Sequence, residues 1–123
     1  MANVSETLIA LMGIDGAIAA AIVDSNSGLM LGKAGGGIDL DLAGAGNTEV
    51  LRAKMKTIKA LGLQDKIEDI LITLGKQYHI IRPMTEKPGI FAYLVLDRDR
   101  GNLALARLKT AEEEQLKVNA RLG

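Results

Sequence analysis

The chain is 123 residues long, enough for one domain spanning 1–123 whose core buries roughly two-thirds of the surface the unfolded chain exposes. Lys and Arg balance Asp and Glu at 15 each, and two tyrosines and one phenylalanine are the only aromatic residues; this argues against a general affinity for nucleic acid or anionic membrane. Cysteine is absent, which excludes disulfides, thiolate nucleophiles and thiolate metal sites.

Asn3 followed by Glu6 has the form of a capping box, and Val4, Leu8, Leu11 and Met12 recur at helical spacing. A first helix is therefore expected over Val4 to Met12, stopping at Gly13. Gly16 opens the apolar run Ala17 to Val23, a strand candidate covered on both faces, and Ser25-Asn26-Ser27-Gly28 predicts a hairpin with Leu29-Met30-Leu31 returning. Gly35-Gly36-Gly37 reads as a flexible exit.

A long helix follows, from Asp41 or Thr48 to Leu61. At 100° per residue Arg52, Lys56 and Lys59 share one narrow face, while Val50, Leu51, Ala53, Met55, Ile58, Ala60 and Leu61 spread over most of the rest. A helix lying only on its own sheet needs an apolar stripe somewhat wider than about 100°, and this arc is roughly twice that. Gly44 and Gly46 precede it, and small residues let a second backbone come close. A second copy of the helix is the natural cover, which predicts a homodimer burying about 800 Å² per subunit.

Three β-patterned runs come next. Ile67 to Leu74 leads to a reversal at Gly75-Lys76; Tyr78 to Arg82 ends at Pro83, which has no N–H for a ladder; and Ile90 to Leu96, after Lys87-Pro88-Gly89, is apolar at every position, as a strand covered on both faces should be. Asp97-Arg98-Asp99-Arg100-Gly101 is a polar turn. Asn102 can cap a last helix carrying Leu105, Leu108 and Leu116, with a second capping box over Thr110 to Glu113 and fraying expected over Val118 to Gly123. The longest apolar runs have seven residues, far short of the roughly 20 that span a bilayer, and Met1 to Glu6 lacks the pattern of a signal peptide; no membrane insertion and a cytoplasmic location are expected.

No catalytic set accompanies these elements. Gly32-Lys33-Ala34 and Gly75-Lys76-Gln77 lack the upstream glycine and the hydroxyl of a phosphate-binding loop, and Gly35 to Gly37 does not match the dinucleotide pattern, so no cofactor is expected. His79 is the sole histidine and alternates with Gln77 and Ile81, as a partly buried, hydrogen-bonded sheet residue would. Asp97 and Asp99 sit beside Arg98 and Arg100, which opposes a divalent cation. Glu112-Glu113-Glu114 reads as an exposed helix turn.

The element order, together with Ile14-Asp15-Gly16-Ala17 leading into Ala20-Ala21-Ile22-Val23-Asp24, Ser27-Gly28-Leu29, and Ile70-Leu71-Ile72-Thr73 answered by Tyr78-His79-Ile80-Ile81-Arg82, resembles the Roadblock family of dynein light chains and bacterial GTPase partners from about Leu8 to Leu116. The resemblance implies an α+β, profilin-like fold, α-β-β-α-β-β-β-α. Its five-stranded antiparallel sheet carries the long helix on one face and the terminal helices on the other. It also implies a homodimer built on the third-strand edge, Ile67 to Leu74 with Asp69, Leu71 and Thr73 along it, together with Val50, Leu51, Met55 and Ile58. The implied function is that of a non-catalytic adaptor or regulator of a small Ras-like GTPase, met through Arg52, Lys56 and Lys59. A profilin-like small-ligand sensor and a purely structural dimerisation module are the alternatives.

Overall fold

The Asn3 side chain accepts a hydrogen bond from the Glu6 backbone N–H at 2.8 Å, and α1 (Val4–Met12) begins there with the bounds expected. This computed structural model describes residues 3–84 and 87–111. Gly13 ends the helix without leaving the right-handed region (φ −76°). The left-handed residue is Gly16 (φ 84°), where a Cβ would lie 2.6 Å from the Gly101 backbone. The Asp15-Gly16 step is thus set by a close approach to the turn that follows the last strand.

β1 (Ala17–Asp24) and β2 (Met30–Gly35) form the expected hairpin, with a register shift between Ile22 and Val23. β2 runs further than Leu29-Met30-Leu31 predicts, and Gly35 is not a flexible exit. It pairs with Ala19 at φ 82°, and any Cβ there would meet the Ile18 carbonyl oxygen. α2 (Leu40–Ala60) starts ahead of both expected positions because Asp39 caps it, accepting from the Leu42 N–H at 3.1 Å. Gly44 approaches its own sheet rather than a second copy: a Cβ on it would lie 2.9 Å from the Met30 methyl and 3.4 Å from Val23. Gly46 faces open space.

β3 (Ile70–Thr73) is shorter than the run Ile67 to Leu74, whereas β4 (Gln77–Pro83) and β5 (Ile90–Asp97) match or slightly exceed expectation. The sheet is fully antiparallel, in the order β2-β1-β5-β4-β3, so the last strand in sequence lies in the middle. Residues 103–111 form a helix, α3, whose Leu105 N–H is received by Asn102 Oδ1 at 3.0 Å. Thr110 lies inside it, donating back to the Ala106 carbonyl at 2.7 Å, and so does not cap a separate helix. Leu105 and Leu108 are exposed, while Leu103 and Ala106 face the core. Leu116, Glu112 to Glu114 and the fraying expected over Val118 to Gly123 lie outside the described residues.

Strand alternation divides the core into two layers. Ala20, Ile22, Ile80, Leu94 and Leu96 meet α1 and α3 on one face; Ala19, Ala21, Val23, Ile81, Phe91, Tyr93 and Val95 meet α2 on the other. The expected α+β architecture, with the long helix opposite the two terminal ones, is what the chain adopts. Among the described residues no helix is long and apolar enough to cross a membrane.

Candidate functional site

The two edges of the sheet differ in a way that singles out β3. β2 is blunted: it carries the bulge opposite Ile22 and Val23, two glycines, and Lys33 in an ion pair with Asp41 at 2.8 Å. Natural sheets use such features to refuse an added strand. β3, Ile70-Leu71-Ile72-Thr73, has no charge, glycine or proline, and its pairing with β4 is regular. The Leu74 N–H donates to the Gln77 carbonyl at 2.8 Å, so Ile70 and Ile72 aim their backbone groups at β4. By the same alternation Leu71 and Thr73 present theirs to the open edge.

α2 covers the face of the sheet that Ile70 and Ile72 of β3 share, lying chiefly over β1 and β2. Leu40, Gly44, Thr48 and Leu51 form its buried stripe, whereas Val50, Met55 and Leu61 are 37%, 55% and 67% exposed. The side chain of Asn47 reaches Tyr93 on β5, and the Arg52 guanidinium donates to the Asn26 carbonyl in the β1–β2 hairpin. At 100° per residue these two contacts orient the helix, with the Asn47–Val50 flank towards β4 and β3 and the Arg52 flank towards the hairpin.

The residues expected at a twofold contact fall into different environments. Val50, Met55 and Thr73 are exposed; Ile58, Ile67 and Leu71 are half-buried. Leu51 is 2% exposed and turned into the subunit's own core, so its side chain offers nothing to a partner. Asp69 is likewise committed, since Arg107 on α3 grips both of its oxygens at 2.7 and 2.8 Å and Arg82 stands 3.9 Å away. Met55, Ile58 and Ile67 also line an open groove of about 760 Å³ with Leu63, Pro83 and Met84, where the end of α2 overhangs the turn after β4. Leu61 and Leu74, at the ends of the expected helix and strand, are exposed, and so is Leu63, which periodicity alone does not flag because it lies in the turn after α2.

Lys56, Lys59 and Arg52 are all exposed. Arg52 is the least free of them, since its hairpin contact belongs to a junction in which the Ser25 hydroxyl donates to the Gly89 carbonyl at 2.8 Å.

One polar cluster interrupts the apolar face under α2. The His79 ring meets the Tyr93 hydroxyl through Nδ1 at 2.6 Å and Gln77 Oε1 through Nε2 at 2.9 Å, with the two aromatic rings edge to face. Burial pushes the imidazole below 6.5 and the phenol above 10.0, the latter partly offset by the hydrogen bond from Asn47. No cluster of three or more metal-ligating side chains exists among the described residues.

No family model and no curated protein sequence matches the chain. Solved structures do. A Roadblock/LC7 domain from Streptomyces avermitilis superposes with a TM-score of 0.81 at 12% identity, over 99% of this chain and 100% of that one. MglB of Myxococcus xanthus gives 0.77 at 16%, over 93% of each chain, and an MglB described with a tetrameric arrangement gives 0.78 at 17%, over 92% of this chain and 83% of that one. Agreement of this extent at such low identity is agreement of architecture, and the chain has the Roadblock/LC7 fold.

Proposed function

We propose that the chain is a homodimeric, non-catalytic adaptor or regulator of a small Ras-like GTPase. Two observations support this reading: β3 is an unblunted sheet edge, and α2 leaves the apolar side chains of Val50 and Met55 exposed. Pairing of β3 with a second β3 would satisfy the outward groups of Leu71 and Thr73, and the same movement would cover Val50 and Met55. The MglB structure with a tetrameric arrangement, alike in fold, is in keeping with assembly.

The basic face then meets the partner. Arg52, Lys56 and Lys59 lie away from the β3 side of α2, so a twofold contact leaves them open to an acidic surface on the GTPase. Light scattering and calorimetry test both steps. The expected result is a dimeric mass at micromolar protein and binding that depends on the nucleotide state of a GTPase from the same cell. A monomeric mass removes the first step, and absence of a complex in either nucleotide state removes the second.

The groove beside Met55 and Ile58 favours a second reading, a small-ligand sensor. Its volume of about 760 Å³ is in the range of ligand sites, but its lining is mainly apolar and its polar members, Lys59, Gln64, Asp65 and Lys66, are exposed. A rise in melting temperature with a small apolar ligand would bring it forward.

A further inference from the structure

Three residues from three elements join the sheet to the helix that lies on it: His79 on β4, Tyr93 on β5 and Asn47 on α2. Tyr93 is 1% exposed, so its hydroxyl has no route to bulk water and must be satisfied by these neighbours. The partners set the proton positions. Gln77 Oε1 can only accept, so His79 Nε2 carries the hydrogen and Nδ1 is left as the acceptor of the Tyr93 O–H. With its proton pointing at His79, the Tyr93 oxygen is free to accept from the Asn47 amide. Every group is paired, and the neutral imidazole is what keeps the Asn47 NH2 turned towards Tyr93.

A proton on Nδ1 reverses the chain. Imidazolium must donate at both nitrogens, the Tyr93 hydroxyl must turn its hydrogen towards Asn47, and Asn47 must then present its carbonyl instead of its NH2. We propose that His79, Tyr93 and Asn47 form a protonation-dependent latch between the sheet and α2, so that acidification loosens the Asn47–Val50 flank of the helix. Its consequence for assembly rests on the homodimer reading above; the latch itself does not.

The surroundings leave the imidazolium without compensation. On β4 the flanking side chains of that face are Gln77 and Ile81; on β3 the residue opposite is Ile72; on β5 the neighbours are Tyr93 and Val95. The first carboxylate along that face, Asp97, is occupied by the backbone N–H of Asp99 at 2.8 Å and by the Arg100 side chain at 3.5 Å. On α2 the charged residues nearest to Asn47 in sequence, Glu49, Arg52 and Asp41, are exposed, and Asp41 is paired with Lys33. Burial holds the imidazole below 6.5, so neutral His79 is the stable form at neutral pH. The linkage has one sign: stability is complete above 6.5 and is lost as pH falls through the folded-state value.

The test is an NMR titration of the full chain, following the His79 ring and the Asn47 side-chain amide together. The latch predicts that both move with one midpoint below 6.5. In Tyr93→Phe the His79 midpoint rises and the Asn47 signal ceases to titrate; Asn47→Ala, a change at a half-buried position of the helix that leaves every strand residue in place, also raises the His79 midpoint. An Asn47 amide that ignores the titration of His79 overturns the latch, as does an unchanged His79 midpoint in Asn47→Ala. Light scattering at about pH 7.5 and about pH 5.5 separates the two readings, with a loss of dimer expected at the lower value. A chain monomeric at both values with a shared midpoint retires the homodimer and keeps the latch; a dimer at both values with uncoupled titrations retires the latch and keeps the homodimer.

Discussion

Arg107 on α3 holds the Asp69 carboxylate in a two-pronged grip, Nε to Oδ2 at 2.8 Å and Nη2 to Oδ1 at 2.7 Å, across 38 positions of the chain. Asp69 immediately precedes β3 and its side chain is 6% exposed, while that of Arg107 is 45% exposed. The pair therefore fixes α3 to the start of the strand that forms the open edge. Arg107→Ala leaves a nearly buried carboxylate with Arg82 alone, at 3.9 Å. We expect a loss of about 2 kcal/mol in urea unfolding at neutral pH, the upper range being reduced by the exposure of Arg107.

The open edge itself is tested at Thr73. Its N–H points away from β4, so Thr73→Pro deletes a donor from the outer edge and leaves the β3–β4 ladder whole. Circular dichroism should be unchanged and the dimeric mass should fall towards that of one subunit. A dimer as strong as before would place the twofold contact elsewhere.

Val50 and Met55 are exposed in the single subunit, so Val50→Asp with Met55→Asp should cost the isolated fold little, within about 0.5 kcal/mol per site. Burial of each side chain in a dimer is worth about 1.5–3 kcal/mol, so the doubly substituted chain should dissociate at least a hundredfold more readily in analytical ultracentrifugation.

Lys56→Glu with Lys59→Glu should leave melting unchanged, weaken GTPase binding, and flatten its dependence on salt, since both side chains are exposed on the basic face. Arg52 is a poorer choice for this experiment, because removing it also releases the Asn26 carbonyl.

The two glycines of α2 should respond differently to alanine. Gly46 faces open space, so Gly46→Ala gains about 0.5–1 kcal/mol from helix propensity. Gly44→Ala gains less or loses, because the Met30 methyl must move from 2.9 Å and Val23 at 3.4 Å must also give way. Equal gains at both positions would mean that α2 does not approach the sheet as closely as described.

Much of the fold is legible in the residues alone because local rules and the final structure agree. Asn3 and Asn102 cap the helices they were expected to cap, Gly75-Lys76 reverses the chain, and the continuous apolar run of β5 belongs to the central strand. Of the candidate site, the exposure of Val50 follows from the width of the apolar arc, since a flat sheet can cover only one side of a helix, whereas Met55 is on the sheet side and is exposed because the end of α2 overhangs a groove.

The rest depends on contacts between residues distant in the chain, which no periodicity encodes. Leu51 shares the apolar arc with Val50, yet only the angle at which α2 lies on β1 turns one inward and leaves the other out. Gly35 looks like any linker glycine until the Ile18 carbonyl is placed against it, and Asp69 looks like a free edge charge until α3 brings Arg107 alongside. Sequence by itself settled the order and type of the elements, because caps, turns and hydrophobic period act within a few residues. Tertiary structure decided which edge stays open, which side chains remain for a partner, and which polar groups meet beneath α2, because those depend on how whole surfaces come together.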